Sequence, residues 1–149
     1  MDRRGASLME LVVVFSILGV AAAVVLPELS SLSRGGSDQA VREIVSAYRT
    51  ARDAATTRGA QVSVALELAT GAYWVVVQAA AERGADTLRR DALPIGSGVR
   101  LLGGRGGWAV TTFDSQGQAR GLPVYVSDAE GVYKVDVDPI TAAIDARRR

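Results

Sequence analysis

Three spacings of apolar residues follow one another along the chain. Residues 11–26 form an uncharged run that is almost wholly apolar. Further on, Val41, Ile44, Val45, Tyr48, Ala51 and Ala55 recur at the three- and four-residue intervals of one helix face. From Val62 the pattern alternates: Val62, Val64, Leu66 and Leu68 stand against Ser63, Ala65 and Glu67, the period of a strand with one covered face. The three spacings predict a membrane helix, an amphipathic helix over 38–58 and an antiparallel sheet over 61–137. The fold class is α+β, with a long N-terminal helix whose second half packs on the sheet.

Punctuation divides these elements. Pro27 loosens the first helix, because proline removes a backbone donor and crowds the preceding turn. The Ser-rich stretch 30–37 contains Gly35-Gly36 and predicts a bend or break. Ser37 or Asp38 can cap the restart, Asp38–Arg42 and Arg49–Asp53 are pairs at i,i+4, and Arg58-Gly59 is a stop. In the sheet, Thr70-Gly71 turns the first strand back along 73–78. The charged stretch 79–92 reads as an exposed connection, 99–102 as a short strand and 103–107 as a flexible glycine loop. Strands are expected at 108–113, 122–127 and 132–137, joined by Asp114-Ser115-Gln116-Gly117 and Asp128-Ala129-Glu130-Gly131.

One charge interrupts the apolar start. Glu10 stands at the front of the run, just after Arg3-Arg4-Gly5-Ala6-Ser7-Leu8-Met9. A carboxylate in bilayer hydrocarbon costs about 2.5–3.5 kcal/mol on insertion scales, so such a residue is normally paired or functional. Residues 11–26 span about 24 Å as a helix, and residues 6–27 about 33 Å, enough for a hydrocarbon core of about 30 Å. Arg3 and Arg4 keep the preceding end cytoplasmic. Two plainer readings compete: a secretory signal peptide cut near Ala21-Ala22-Ala23, and an ordinary single-span anchor. Both leave Glu10 unexplained.

The segment 3–27 resembles the N-terminus of type IV pilins and type II secretion pseudopilins. Gly5, Ser7, Glu10 and the apolar run fit that pattern in register, and Pro27 falls where many members carry a helix-loosening proline. The resemblance implies a leader peptide over 1–5, cut by a prepilin peptidase between Gly5 and Ala6, and N-methylation of Ala6. It implies that Glu10 makes an assembly contact with the amine of a neighbouring subunit. It also implies a single-pass inner-membrane helix over 6–27 that meets membrane lipid, and a pilin-like periplasmic head over 28–149. Ala6 departs from the usual Phe or Met at the first mature position.

The second half is similar to the GspH/FimT type of minor pseudopilins and minor pilins, through Phe113-Asp114-Ser115-Gln116-Gly117, residues 122–127 and Gly131-Val132-Tyr133-Lys134-Val135. Thr141-Ala142-Ala143 departs from the Thr-Gly-basic turn that commonly closes such domains. The function implied is a minor pseudopilin that helps initiate or cap the short filament driving protein export. Its partners would be other minor and major pseudopilins or pilins and the inner-membrane assembly platform. The alternative is a minor type IV pilin in pilus biogenesis or DNA uptake.

Composition narrows the remaining chemistry. The 149 residues suit one small domain plus an anchor, and the net charge of +1 indicates no general polyanion role. The absence of cysteine excludes disulfides and thiolate metal sites, and the absence of histidine removes the commonest general base and metal ligand. No enzymatic activity, cofactor or metal is expected. Asp136 and Asp138 are too few for the six to eight oxygens of a calcium shell. Residues 103–107 lack the Lys-Ser/Thr ending of a nucleotide loop. The three arginines 147–149 read as a solvated terminus, nucleic acid is not an expected partner, and Trp74 and Trp108 read as core or half-buried sheet residues.

Overall fold

Alternating strands need a second layer to cover their apolar side, and one amphipathic helix supplies it for two sheets. The computed structural model describes residues 36–78, 85–96 and 98–149. Contacts divide the chain into two units, Met1–Arg34 and Gly35–Arg149, and every described residue lies in the second. Helix α1 spans Gly36–Arg58. Nine strands follow: β1 Gln61–Glu67, β2 Ala72–Gln78, β3 Asp86–Ala92, β4 Arg100–Gly103, β5 Trp108–Phe113, β6 Ala119–Gly121, β7 Val124–Ser127, β8 Val132–Val137 and β9 Ile144–Arg148. They form a five-stranded sheet, β3-β2-β1-β5-β6, and a four-stranded sheet, β4-β7-β8-β9, in which every pairing is antiparallel.

The helix forms where the 3.6-residue spacing places it. Ala40, Val41, Ile44, Ala47, Tyr48, Ala51 and Ala55 are buried along one stripe. That stripe meets β1, β2 and β5 of the first sheet and β7, β8 and β9 of the second. Small alanines let the backbone approach the sheets closely, while Tyr48 fills the space between strands. Its ring stands edge-on to Phe113 at 6.0 Å, and its hydroxyl accepts a hydrogen bond from the buried Thr111 hydroxyl at 3.1 Å. The end of α1 is a glycine cap: Gly59 takes φ +59°, and the amide of Ala60 reaches back to the carbonyl of Ala55 at 3.2 Å.

The expected single sheet over 61–137 is two sheets, and strand structure continues to Arg148. The chain leaves the first sheet after β3, enters the second at β4, returns at β5 and leaves again after β6. Pro123 marks the last exit, since it has no N–H to donate to a ladder. The expected strand at 122–127 therefore begins at Val124, and Leu122 is left about half exposed. Part of the stretch read as a connection is the edge strand β3, paired with β2 and offset by a bulge between Val75 and Val76. The glycine loop is a tight turn in which Arg105 and Trp108 exchange backbone hydrogen bonds. Gly104 takes φ +64° there, and a Cβ would overlap the Trp108 carbonyl.

The helix begins two residues before the expected Asp38. Neither Asp38–Arg42 nor Arg49–Asp53 closes an ion pair among the described residues.

Candidate assembly surfaces of the head

Gly5, Ala6, Glu10 and Pro27 lie outside the described residues, as does the expected span over 6–27. Among the described residues no helix is long and apolar enough to cross a membrane. The structure thus bears on the head: how it holds the helix through which the N-terminal segment joins it, and what its outer faces present.

Two polar clusters fasten α1 along its length. In its first turn the Ser37 hydroxyl donates to the carboxylate of Asp128, which leads the β7–β8 turn. On β8, the nearby Asp38 carboxylate, and after it burial, raise the pKa of the Tyr133 hydroxyl. About a turn and a half after Ser37, Glu43 accepts from the Tyr73 hydroxyl of β2 at 2.6 Å and from the Arg89 guanidinium of β3. Arg89 also lies 5.5 Å over the Tyr73 ring and reaches Asp91 at 3.3 Å. A helix bound only by an apolar stripe can slide along it, whereas these partners fix its register on both sheets. Sequence reasoning missed these contacts because they join residues 30 to 91 positions apart. The only local signal was a glutamate close to an otherwise apolar stripe.

Aspartates organise the turns. Asp114 accepts the amides of Gln116 and Gln118, both at 2.9 Å. Asp128 accepts those of Glu130 and Gly131 at 2.8 and 3.0 Å. Asp138 accepts the amides of Ile140 and Thr141 and the Thr141 hydroxyl. This last turn contains Ala142, fully buried at φ +49°, where the resemblance expects glycine. An alanine there costs about 1–2 kcal/mol of backbone strain, offset in part by burying its methyl group.

Hydrogen bonds to carboxylates make stability depend on pH in a defined direction. Asp91 is held below its ordinary 3.8 by the Ala92 amide and then Arg89, Asp128 by the Ser37 hydroxyl and then the Glu130 amide, and Asp138 by the Thr141 amide and then its hydroxyl. A depressed carboxylate contributes stability above its unfolded pKa and loses it as pH falls through the folded one. The phenols work at the other end. Burial raises Tyr48, and burial followed by the bond to Glu43 raises Tyr73, both from 10.0, so their contribution is intact below pH 10 and falls above it. With no histidine in the chain, the melting temperature should be nearly flat between about pH 5 and 9. It should drop on both sides. A step near pH 6–7 in a circular-dichroism melting series would contradict these assignments.

The outer face of the four-stranded sheet is a charge lattice. Lys134 reaches Asp136 at 2.6 Å and Arg147 reaches Asp145 at 2.5 Å, while Asp136 and Asp145 stand opposite one another across β8 and β9. Each carboxylate is thus neutralised along its own strand rather than across the ladder. A groove of about 690 Å³ runs between this lattice and β6, lined in part by Arg120, Asp136, Asp138 and Asp145. Its acids are already engaged with Lys134, Arg147 and the 138–141 turn. No group of three or more metal-ligating side chains occurs among the described residues.

The basic residues 147–149 are exposed as expected, but they are also held in place. Arg147 and Arg148 belong to β9. Arg148 stacks 5.8 Å over Tyr133 and donates to the Glu130 carbonyl at 2.5 Å, and the Arg149 amide bonds the Val132 carbonyl at 2.8 Å. Trp74 and Trp108 lie together on the outer face of the five-stranded sheet, ring centroids 5.5 Å apart, with Trp108 40% exposed.

The family model described as "Type II transport protein GspH" matches residues 40–141. No curated protein matches the chain. Among solved structures, the minor pseudopilin EpsH from the Type 2 Secretion System of Vibrio cholerae superposes with a TM-score of 0.60 at 11% sequence identity, covering 76% of this chain and 97% of that one. This likeness concerns the fold, a helix laid across two antiparallel sheets. With the family model covering most of its length, the chain belongs to the GspH family of type II transport proteins, and is a minor pseudopilin, a structural subunit of type II secretion and not an enzyme.

Proposed function

We propose that the chain is made as a precursor, cut between Gly5 and Ala6 by a prepilin peptidase and methylated on the Ala6 amine. Residues 6–27 then hold it in the inner membrane, with the head in the periplasm. On extraction into the pseudopilus, Glu10 neutralises the Ala6 amine of an adjacent subunit where water is excluded, and Pro27 loosens the helix for packing. The head joins other minor and major pseudopilins and helps initiate or cap the filament. An ATPase of the assembly platform supplies the energy, since the chain carries no nucleotide loop.

The observation that supports this reading most is the register of Gly5, Ala6, Glu10 and the apolar run, placed directly before a head of the GspH family. The head suits a load-bearing role: force entering at the start of α1 is shared between two sheets through Glu43 and Ser37. Gly5→Leu tests the processing step, because the added side chain blocks a cleavage site that accepts only hydrogen. The variant should accumulate as full-length precursor in the membrane and be absent from the filament fraction. Normal processing of Gly5→Leu would remove the proposed leader.

A further inference from the structure

The outer face of the five-stranded sheet has an apolar centre that remains part-exposed among the described residues. Register sets Arg90, Trp74, Ala65 and Val110 side by side across β3, β2, β1 and β5, with Trp108 beside Glu67 two residues along. Val110 is 49% exposed. The Arg90 guanidinium lies 5.5 Å over the Trp74 ring. A solvated face of an antiparallel sheet ordinarily carries polar side chains, and Ser63 and Thr112 on this face comply, bonded to each other at 3.0 Å. Two tryptophans and a valine in the middle depart from that rule. Tryptophan and arginine are the residue types that most often carry binding energy at protein interfaces.

The rim identifies the kind of partner. Arg90 on β3, Arg105 in the turn before β5 and Arg120 on β6 form no ion pair among the described residues. Of the carboxylates at this face, Glu67 is occupied by the Thr70 hydroxyl at 2.5 Å, and Asp114, beside Thr112 and Arg120, by the amides of Gln116 and Gln118. A second copy docked face to face would set arginine against arginine, because a two-fold contact repeats one surface. A protein surface with acidic residues around an apolar centre complements it. Five strands about 4.8 Å apart and about 23 Å long give a face on the order of 450 Å², the size of a weak contact. Membrane anchoring of both partners supplies the local concentration such a contact needs.

We propose that this face docks the head of a different pseudopilus subunit through an acid-rimmed apolar patch. The inference rests on the reading of the chain as a filament subunit. Because the chain has no cysteine, Val110→Cys provides a unique thiol in the full-length protein, and Ile140→Cys, 77% exposed in the 138–143 turn, a control. Each is labelled with a benzophenone maleimide in secreting cells and irradiated. Position 110 should yield an adduct that position 140 does not. Mass spectrometry should identify its partner as a different chain with its own Gly-ended leader and early glutamate. Adding Trp108→Arg or Arg90→Glu should cut the adduct at least tenfold, with the melting temperature lowered by no more than about 5 °C.

An adduct with a second copy, with glycan or with lipid, or equal adducts from both positions, would overturn the proposal. So would the absence of any adduct from a normally incorporated protein. If the unsubstituted chain never enters the filament fraction, the filament reading itself fails and this inference falls with it.

Discussion

Glu10→Ala should insert into the membrane at least as well as the native chain and yet be almost absent from the pseudopilus. Removing the carboxylate relieves an insertion cost of about 2.5–3.5 kcal/mol. In the filament the same change would remove the proposed partner of the neighbouring Ala6 amine. Breaking a buried ion pair costs about 3–5 kcal/mol, and 3 kcal/mol already corresponds to a loss of about 100-fold in incorporation. Glu10→Gln keeps the shape and removes the charge, so it should fail nearly as completely. The check is the ratio of filament-borne to membrane-borne protein in cells that also make the other subunits. Native-like incorporation of both variants would remove the proposed contact.

Phe113→Ala should destabilise the head by about 4 kcal/mol, within the range for truncating a buried aromatic. Phe113 is fully buried, pairs with Val62 across β5 and β1, and meets the Tyr48 ring edge-on. It therefore joins α1 to the middle of the five-stranded sheet, and no neighbour can collapse into its place without moving the helix. For a domain of this size the loss lowers the melting temperature by on the order of 15 °C. Trp108→Ala is the contrast. Its ring is 40% exposed on the opposite face, so the same truncation should cost no more than about 1 kcal/mol. Denaturant titration of the two variants measures the difference, and equal losses would mean that the core has been placed on the wrong side of the sheet.

The contrast between these residues also shows what can be read from the sequence. Strands β1, β2, β5 and β8 are legible because a strand that packs against the helix must alternate, and Val62, Val64, Leu66 and Phe113 do so. Strands β3, β6 and β9 are not. Each lies at a sheet edge, and edges are protected from unwanted pairing by charge and shortness, which erases the apolar signal. Asp86–Ala92 carries four charges in seven residues and reads as a loop for that reason. The division into two sheets is also hidden, because it depends on which strands neighbour one another rather than on any one strand's pattern.

Local turn chemistry transfers well. Asp114 and Asp128 lead the turns expected of them, each carboxylate collecting two backbone amides. Long-range polar contacts do not transfer: Ser37 or Asp38 is expected to cap the helix, and Ser37 fastens it to the β7–β8 turn instead. The roles proposed for Gly5, Ala6 and Glu10, which lie outside the described residues, rest on spacing along one segment, which a sequence displays directly.

The intact mass of the protein isolated from native membranes tests the central claim most directly. The account predicts a chain that begins at Ala6, lacks residues 1–5 and carries one methyl group on its terminal amine. A chain that still begins at Met1, or one that begins beyond Ala23, would contradict it.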